Sequence, residues 1–178
     1  MNVMLRKKIL VGAAVATAAW AIAGSAEASC KQGFCTSGSE LGNGWHHVEF
    51  TTRLAPNLPL VYGDPIALRR ILENLMANAV ESLESKPGRV TISTEVVERT
   101  PDAAVRVAVT DSGRGMSADE AGKIFNDFYT TKEGGTGLGL SIVRRLVMDL
   151  HGTLGVESVP GKGTRITVEI PAKTSART

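Results

Sequence analysis

Four groups of residues have the types and spacing to do chemistry. Asp111-Ser112-Gly113-Arg114-Gly115-Met116 sets a carboxylate before two glycines. A carboxylate at a strand end can accept a hydrogen bond from an exocyclic amine. The glycines, lacking a Cβ, let the backbone approach a flat ring closely. Gly135-Thr136-Gly137-Leu138-Gly139-Leu140 is a glycine-rich turn opening a helix. Free N–H groups and the dipole at a helix start favour phosphate. Between them lies Phe128-Tyr129-Thr130-Thr131-Lys132, with two hydroxyls beside the phenol and one ammonium. Thr130, Thr131 and Lys132 could reach phosphate oxygens. Asn74, Asn78 and Glu81 form the fourth group, at i, i+4 and i+7 on one helix face. Either glycine cluster alone is also an ordinary turn, and the asparagines alone could be a solvated face. Their order along the chain carries the signal.

These groups need elements to position them. Val105 to Val109 alternates as a buried strand delivering Asp111. Arg89 to Glu98 and Ala103 to Thr110 form a hairpin around 99–102. Asp64 and Pro65 start a helix as N-cap and first-turn residue. That helix should run to about Ser85, before Pro87-Gly88, with Leu68, Leu72, Leu75, Met76, Ala79 and Leu83 as its apolar stripe. Ser117 and Glu120 form a capping box for a helix ending near Phe125. Phe125 and Phe128 should anchor the base of a lid. Leu138 to His151 is a helix with Leu140, Val143, Leu146, Val147 and Leu150 inward, stopped by Gly152. Val48 to Leu54, Gly152 to Val159 and Thr164 to Ile170 are further strands. There is no internal repeat.

The ordered set Asn74-Leu75-Met76-Ala77-Asn78-Ala79, Asp111 to Met116, Phe128 to Lys132 and Gly135 to Leu140 resembles the ATP-binding catalytic domain of sensor histidine kinases. That domain belongs to the superfamily shared with gyrase, Hsp90-type chaperones and mismatch-repair ATPases. The short Phe-Tyr-Thr-Thr-Lys lid is similar to that of nitrogen-regulatory-type kinases. His151-Gly152 and Gly161 to Thr164 resemble the family's closing segment. The glycine spacing differs from a P-loop, since no Gly-Lys-Ser/Thr follows. It also differs from eukaryotic protein kinases, since there is no His-Arg-Asp loop.

The resemblance implies a two-layer α/β sandwich, a mixed sheet with helices on one face. It implies ATP and Mg²⁺ as cofactors. Asp111 would select adenine through its N6 amine, and Gly113 and Gly115 would line the base pocket. Asn78 would hold Mg²⁺, for which an oxygen ligand is suited. Asn74 would approach the γ-phosphate or its water. Gly135, Thr136, Gly137, Leu138 and Gly139 would wrap the phosphates, with Thr131 and Lys132 beside them. The implied activity is transfer of the ATP γ-phosphate to a histidine, as in a two-component phosphorelay. His46, His47 and His151 do not show the acceptor pattern, so that histidine must lie on another chain, a histidine-bearing dimerisation domain or a response-regulator pathway. An ATP-binding regulatory module, an anti-sigma-type serine kinase and an inactive kinase remnant remain open.

Composition sets outer bounds. The chain has 178 residues, 43% of them hydrophobic, enough for one domain with a core and an appendage. A net charge of +2 implies no strong nucleic-acid or membrane field. Aromatic residues at 4% argue against base stacking. Residues 1–28 read as a secretory signal or short anchor: basic Arg6-Lys7-Lys8, an apolar run from Ile9 to Ala23, and Ala26-Glu27-Ala28 as a small-x-small site. That run is shorter than the ~20 residues of a membrane-spanning helix. Residues 29–46 read as a polar linker, in which Cys30 and Cys35 could pair in an oxidising compartment. Residues 47–172 form the catalytic domain and 173–178 a polar tail. The domain's chemistry implies the cytoplasm, whereas the N-terminus implies anchoring or export. A monomer is expected.

Overall fold

Alternation of side chains builds the central sheet. In the computed structural model, which describes residues 7–9, 11, 29–31, 34–40, 45–98, 103–131 and 134–172, Val90, Ile92 and Thr94 of one strand point inward. They lie opposite Asp111, Val109 and Val107 of the next. Those in turn meet Thr164, Ile166 and Val168. Each strand therefore gives one face to the core and one to solvent, as period-2 sequences do.

The strands are β1 (Lys7–Ile9), β2 (Ser29–Lys31), β3 (Phe34–Glu40), β4 (Trp45–Leu54), β5 (Val61–Gly63), β6 (Gly88–Val97), β7 (Ala104–Asp111), β8 (Thr153–Val159) and β9 (Gly163–Pro171). Seven form one sheet in the order β2-β3-β4-β6-β7-β9-β8, and β1 pairs with β5. β4 and β6 run parallel, and the other pairs are antiparallel. The parallel pair follows from its connection, because the chain crosses from β4 to β6 through a helix, α1 (Pro65–Glu81). The other helices are α2 (Ala118–Ala121) and α3 (Gly139–Asp149).

α1 presents Leu68, Ile71, Leu72, Leu75 and Met76 to the sheet, each at most 1% exposed. Val143 and Val147 of α3 join them, against Val90, Ile92, Val105, Val107, Val109, Ile166, Val168 and Ile170. Full burial of each such side chain contributes roughly 1.5–3 kcal/mol, so this layer fixes α1 and α3 on the sheet. The expected α/β sandwich with its mixed sheet is therefore present.

Several boundaries differ from the sequence reading. α1 ends at Glu81, not Ser85, because Glu84 and Ser85 take φ of 50° and 60° and turn the chain out of the helix. Asp64 caps it as expected, its Oδ1 accepting from the Ile66 N–H at 2.9 Å. The Ser117–Glu120 capping box is present, but α2 is one turn long and does not reach Phe125. After α3, the left-handed residue is His151, with φ 55°. Gly152 is needed for space, since a β-carbon there would meet Glu169 O at 2.5 Å.

The expected linker over 29–46 contains β2 and β3 and the start of β4. β3 covers the outer edge of β4, which would otherwise present unpaired backbone groups. Cys30 and Cys35 are register partners in the β2–β3 pair. Within the signal-like stretch, β1 pairs with β5 and Val11 is buried in the core. The rest of residues 1–28, and the tail 173–178, lie outside the described residues. No helix among the described residues is long and apolar enough to cross a membrane.

Candidate functional site

Asp111 ends β7, where register with Val90 and Thr164 brings three strands together. Its side chain is 8% exposed. Oδ1 accepts from the Gly113 N–H at 2.8 Å and from the Thr164 N–H at 3.3 Å. Among the described residues no hydrogen bond reaches Oδ2. One carboxylate oxygen is thus fixed by backbone, which orients the other for an incoming donor.

α1 brings Asn74, Asn78 and Glu81 to the same cavity. The Asn74 amide donates through Nδ2 to Arg70 O at 2.8 Å, and Asn78 through Nδ2 to Asn74 O at 2.9 Å. Both nitrogens are thus turned to the helix backbone, and Asn74 Oδ1 faces the start of helix α3. α3 starts at Gly139, and among the described residues no side chain caps its first-turn N–H groups. This start sits against the two asparagines. A β-carbon on Gly139 would lie 3.3 Å from Asn74 Oδ1 and 3.6 Å from Asn78 Nδ2.

The cavity has a volume of about 490 Å³, within the range of small-molecule sites. Of the residues singled out in the sequence, Asn74, Asn78, Asp111, Thr130, Thr131, Gly135, Thr136, Gly137 and Gly139 line it. Lys132 lies outside the described residues. Gly113, Gly115 and Leu138 are not lining residues. Gly113 is packed on the end of α1, where a β-carbon would meet Ser82 O at 2.5 Å. Gly115 has φ 65°, and a β-carbon would overlap Val159 O. Both glycines shape the turn after Asp111 through backbone contact.

Phe125 packs against the core as expected. Phe128 does not: its side chain is 75% exposed and its φ is 62°. What fixes this point is Gly137, at φ 66°, whose missing β-carbon would lie 2.7 Å from Phe128 O. The two ends of the glycine-containing loop are joined through that contact.

The sequence reading missed Arg114. It lines the cavity and donates through Nη2 to Thr131 Oγ1 at 2.6 Å. Its signal was a cation inside a glycine turn at a strand exit. Met116 and Tyr129 of the quoted motifs also line the cavity, as do Ser82, Glu84 and Ile124, which no motif includes. They come from turns and loop bases, which periodicity does not address.

A family model described as histidine kinase-, DNA gyrase B-, and HSP90-like ATPase matches residues 63–174. Sensor histidine kinase ZraS of Klebsiella oxytoca is 39% identical over 124 residues, 70% of this chain and 26% of ZraS. Sporulation kinase E of Bacillus subtilis (strain 168) is 30% identical over 130 residues, 73% of this chain and 17% of that kinase. Among solved structures, full-length ShkA in complex with AMPPNP matches with TM-score 0.74 and 27% identity, over 98% of this chain and 33% of ShkA. The mycobacterial sensor histidine kinase MprB shares the fold at TM-score 0.70 and 22% identity, over 94% and 97% of the two chains. The chain spans about a quarter of the length of ZraS. With the four residue groups gathered around one cavity and the match running over most of the domain, the chain belongs to the histidine kinase-, DNA gyrase B- and HSP90-like ATPase family, as a catalytic domain of the sensor histidine kinase type.

Proposed function

We propose that the cavity binds ATP with Mg²⁺ and that the domain transfers the γ-phosphate to a histidine on a partner chain. The carrying observation is the meeting of Asn74 and Asn78 with the uncapped start of α3 in the cavity that also holds Asp111. Asp111 Oδ2 accepts the adenine N6 amine. The N–H groups at the start of α3, with Gly135, Thr136 and Gly137, take the phosphates. Thr131 adds a hydroxyl and Lys132 a charge.

The amide oxygens of Asn78 and Asn74 suit a hard cation, which takes oxygen ligands and keeps part of its shell from phosphate and water. No cluster of three or more acidic, histidine or cysteine side chains that could hold a metal occurs among the described residues. The donor set therefore fits an ion shared with a nucleotide. When bound, Mg²⁺ neutralises charge on the phosphates. Positioning and electrostatics supply the rest of phosphoryl transfer. An imidazole nitrogen of the partner forms the new bond to phosphorus as the bond to the β–γ bridging oxygen breaks, and ADP leaves with that electron pair.

His46 and His47 lie in strand β4 and His151 in the turn after α3, which supports a phosphoacceptor outside this domain. The test is titration of the full chain with ATP, with and without Mg²⁺, beside Asp111→Asn. Saturable, Mg²⁺-sensitive binding that vanishes in the variant supports the reading. A folded chain that binds no ATP overturns it. Phosphoserine on a co-purified protein, in place of phosphohistidine, would move the chain to the serine-kinase reading.

A further inference from the structure

Arg114 is the only Lys or Arg among the described residues that line the cavity, and the nucleotide scheme above does not use it. Its backbone is anchored on both sides. The Arg114 N–H donates to Ser82 O at 3.0 Å, and its carbonyl accepts from the Gly161 N–H at 2.6 Å. From this anchor the guanidinium reaches several partners. Nη2 donates to Thr131 Oγ1 at 2.6 Å, and Nη1 donates to Glu120 Oε1 at 3.3 Å. Nε lies 3.9 Å from Glu84 Oε1. Glu120 is itself held, its Oε2 accepting from the Ser117 N–H at 2.8 Å. The far end of the arginine is therefore braced by a fixed carboxylate. Its charge is offset by two acidic side chains, which makes it a poor bare cation for a polyphosphate and a good strut.

We propose that Arg114 is a positioning residue that ties Thr131 to the turn after Asp111, holding the Thr130–Thr131 segment at the cavity mouth so that bound nucleotide escapes slowly. This rests on the nucleotide reading of the cavity. Two loop positions 17 residues apart are joined by this planar group. A guanidinium can serve two partners at once in fixed directions, which a lysine cannot. A hydroxyl at position 131 is the acceptor, so the effect runs through Thr131 and not through charge alone.

The experiment uses the full chain and a fluorescent ATP analogue, with release followed by stopped flow. Arg114→Ala and Thr131→Val should each speed release by roughly three- to tenfold, the scale of a partly exposed charge-assisted hydrogen bond. The double variant should be no faster than Thr131→Val alone, because once the hydroxyl is gone the arginine has no tie left to lose. Thr131→Ser, which keeps the hydroxyl, should recover most of the slow release. Without nucleotide, Arg114→Ala should raise hydrogen exchange at the Thr130 and Thr131 amides and leave α3 unchanged. Unchanged release in Arg114→Ala would overturn the proposal. So would additive effects, which mean that Arg114 acts on the ligand by itself, or exchange loosened throughout α3 and β7, which means general destabilisation. If the wild-type chain binds no analogue, the nucleotide reading fails. In that case, unchanged exchange at Thr130 and Thr131 in Arg114→Ala overturns the tie independently.

Discussion

Gly139 and Asn74 meet at the floor of the cavity: a β-carbon on the glycine would stand 3.3 Å from the asparagine's Oδ1. The helix that offers N–H groups and the helix that offers amide oxygens are thus in contact at one small residue. Gly139→Ala should leave the melting temperature within a few degrees, since alanine gains up to ~1 kcal/mol of helix propensity against a contact that a partly exposed side chain can relieve. The methyl should displace the Asn74 amide and weaken ATP binding. Calorimetric titration beside a thermal melt checks this. A variant with intact ATP affinity would show that Asn74 need not stay where it is.

Asn78 is expected to act through metal. Asn78→Ala should lower ATP affinity more in the presence of Mg²⁺ than in EDTA. Its Nδ2 bond to Asn74 O is local, so the loss in stability should be on the order of 1 kcal/mol or less. Equal losses with and without Mg²⁺ would assign Asn78 to nucleotide positioning instead.

Gly115 carries a different expectation. At φ 65° and against Val159 O, an alanine has both a left-handed backbone and an overlap to relieve. Gly115→Ala should cost at least ~2 kcal/mol, a drop in melting temperature on the order of 5 °C or more. Denaturant titration measures it. Full stability with lost ATP binding would return this glycine to the base-contact role inferred from the family resemblance.

The α2 capping box should respond to acid. The Ser117 N–H and hydroxyl, and then Arg114, hold the Glu120 carboxyl below its ordinary value of 4.5. Because the folded state lowers this pKa, its stabilisation is fully present above 4.5 and is lost as pH falls through the depressed folded value. Urea melts of wild type and Glu120→Gln should differ near neutrality and converge in strong acid. A gap that stays constant with pH would deny the carboxylate its role.

Much of the site was legible because each chemical group follows from a local pattern. Asp111 follows the alternating run before it, the asparagines share a helical spacing, the turn before α3 shows its glycines, and all of them reach one cavity. Arg114 was not found, because its partners Glu120 and Thr131 are 6 and 17 residues away and meet it only once the turn is folded. Gly113 and Gly115 sit in the loop where the sequence places them. Sequence shows that a β-carbon is excluded, and packing on Ser82 and Val159 shows by what. Phe128 was taken for an anchor on its apolar character, whereas the anchor is its backbone, touched by Gly137. The strands within 29–46 were illegible for a similar reason. Their polar composition suits a linker, and only pairing with the edge of β4 makes them strands.

The two amides that hold the Asp111 carboxylate belong to Gly113 and Thr164, the second 53 residues downstream. The carboxylate is therefore fully oriented only once β9 lies beside β7. An intermediate with α1, β6 and β7 in place would have the carboxylate but not its orientation until the β8–β9 hairpin docked. The same linkage runs in reverse. A ligand that binds only the docked state adds its binding free energy to the stability of the last hairpin, so nucleotide should slow hydrogen exchange in β9 as strongly as in the loops that touch it.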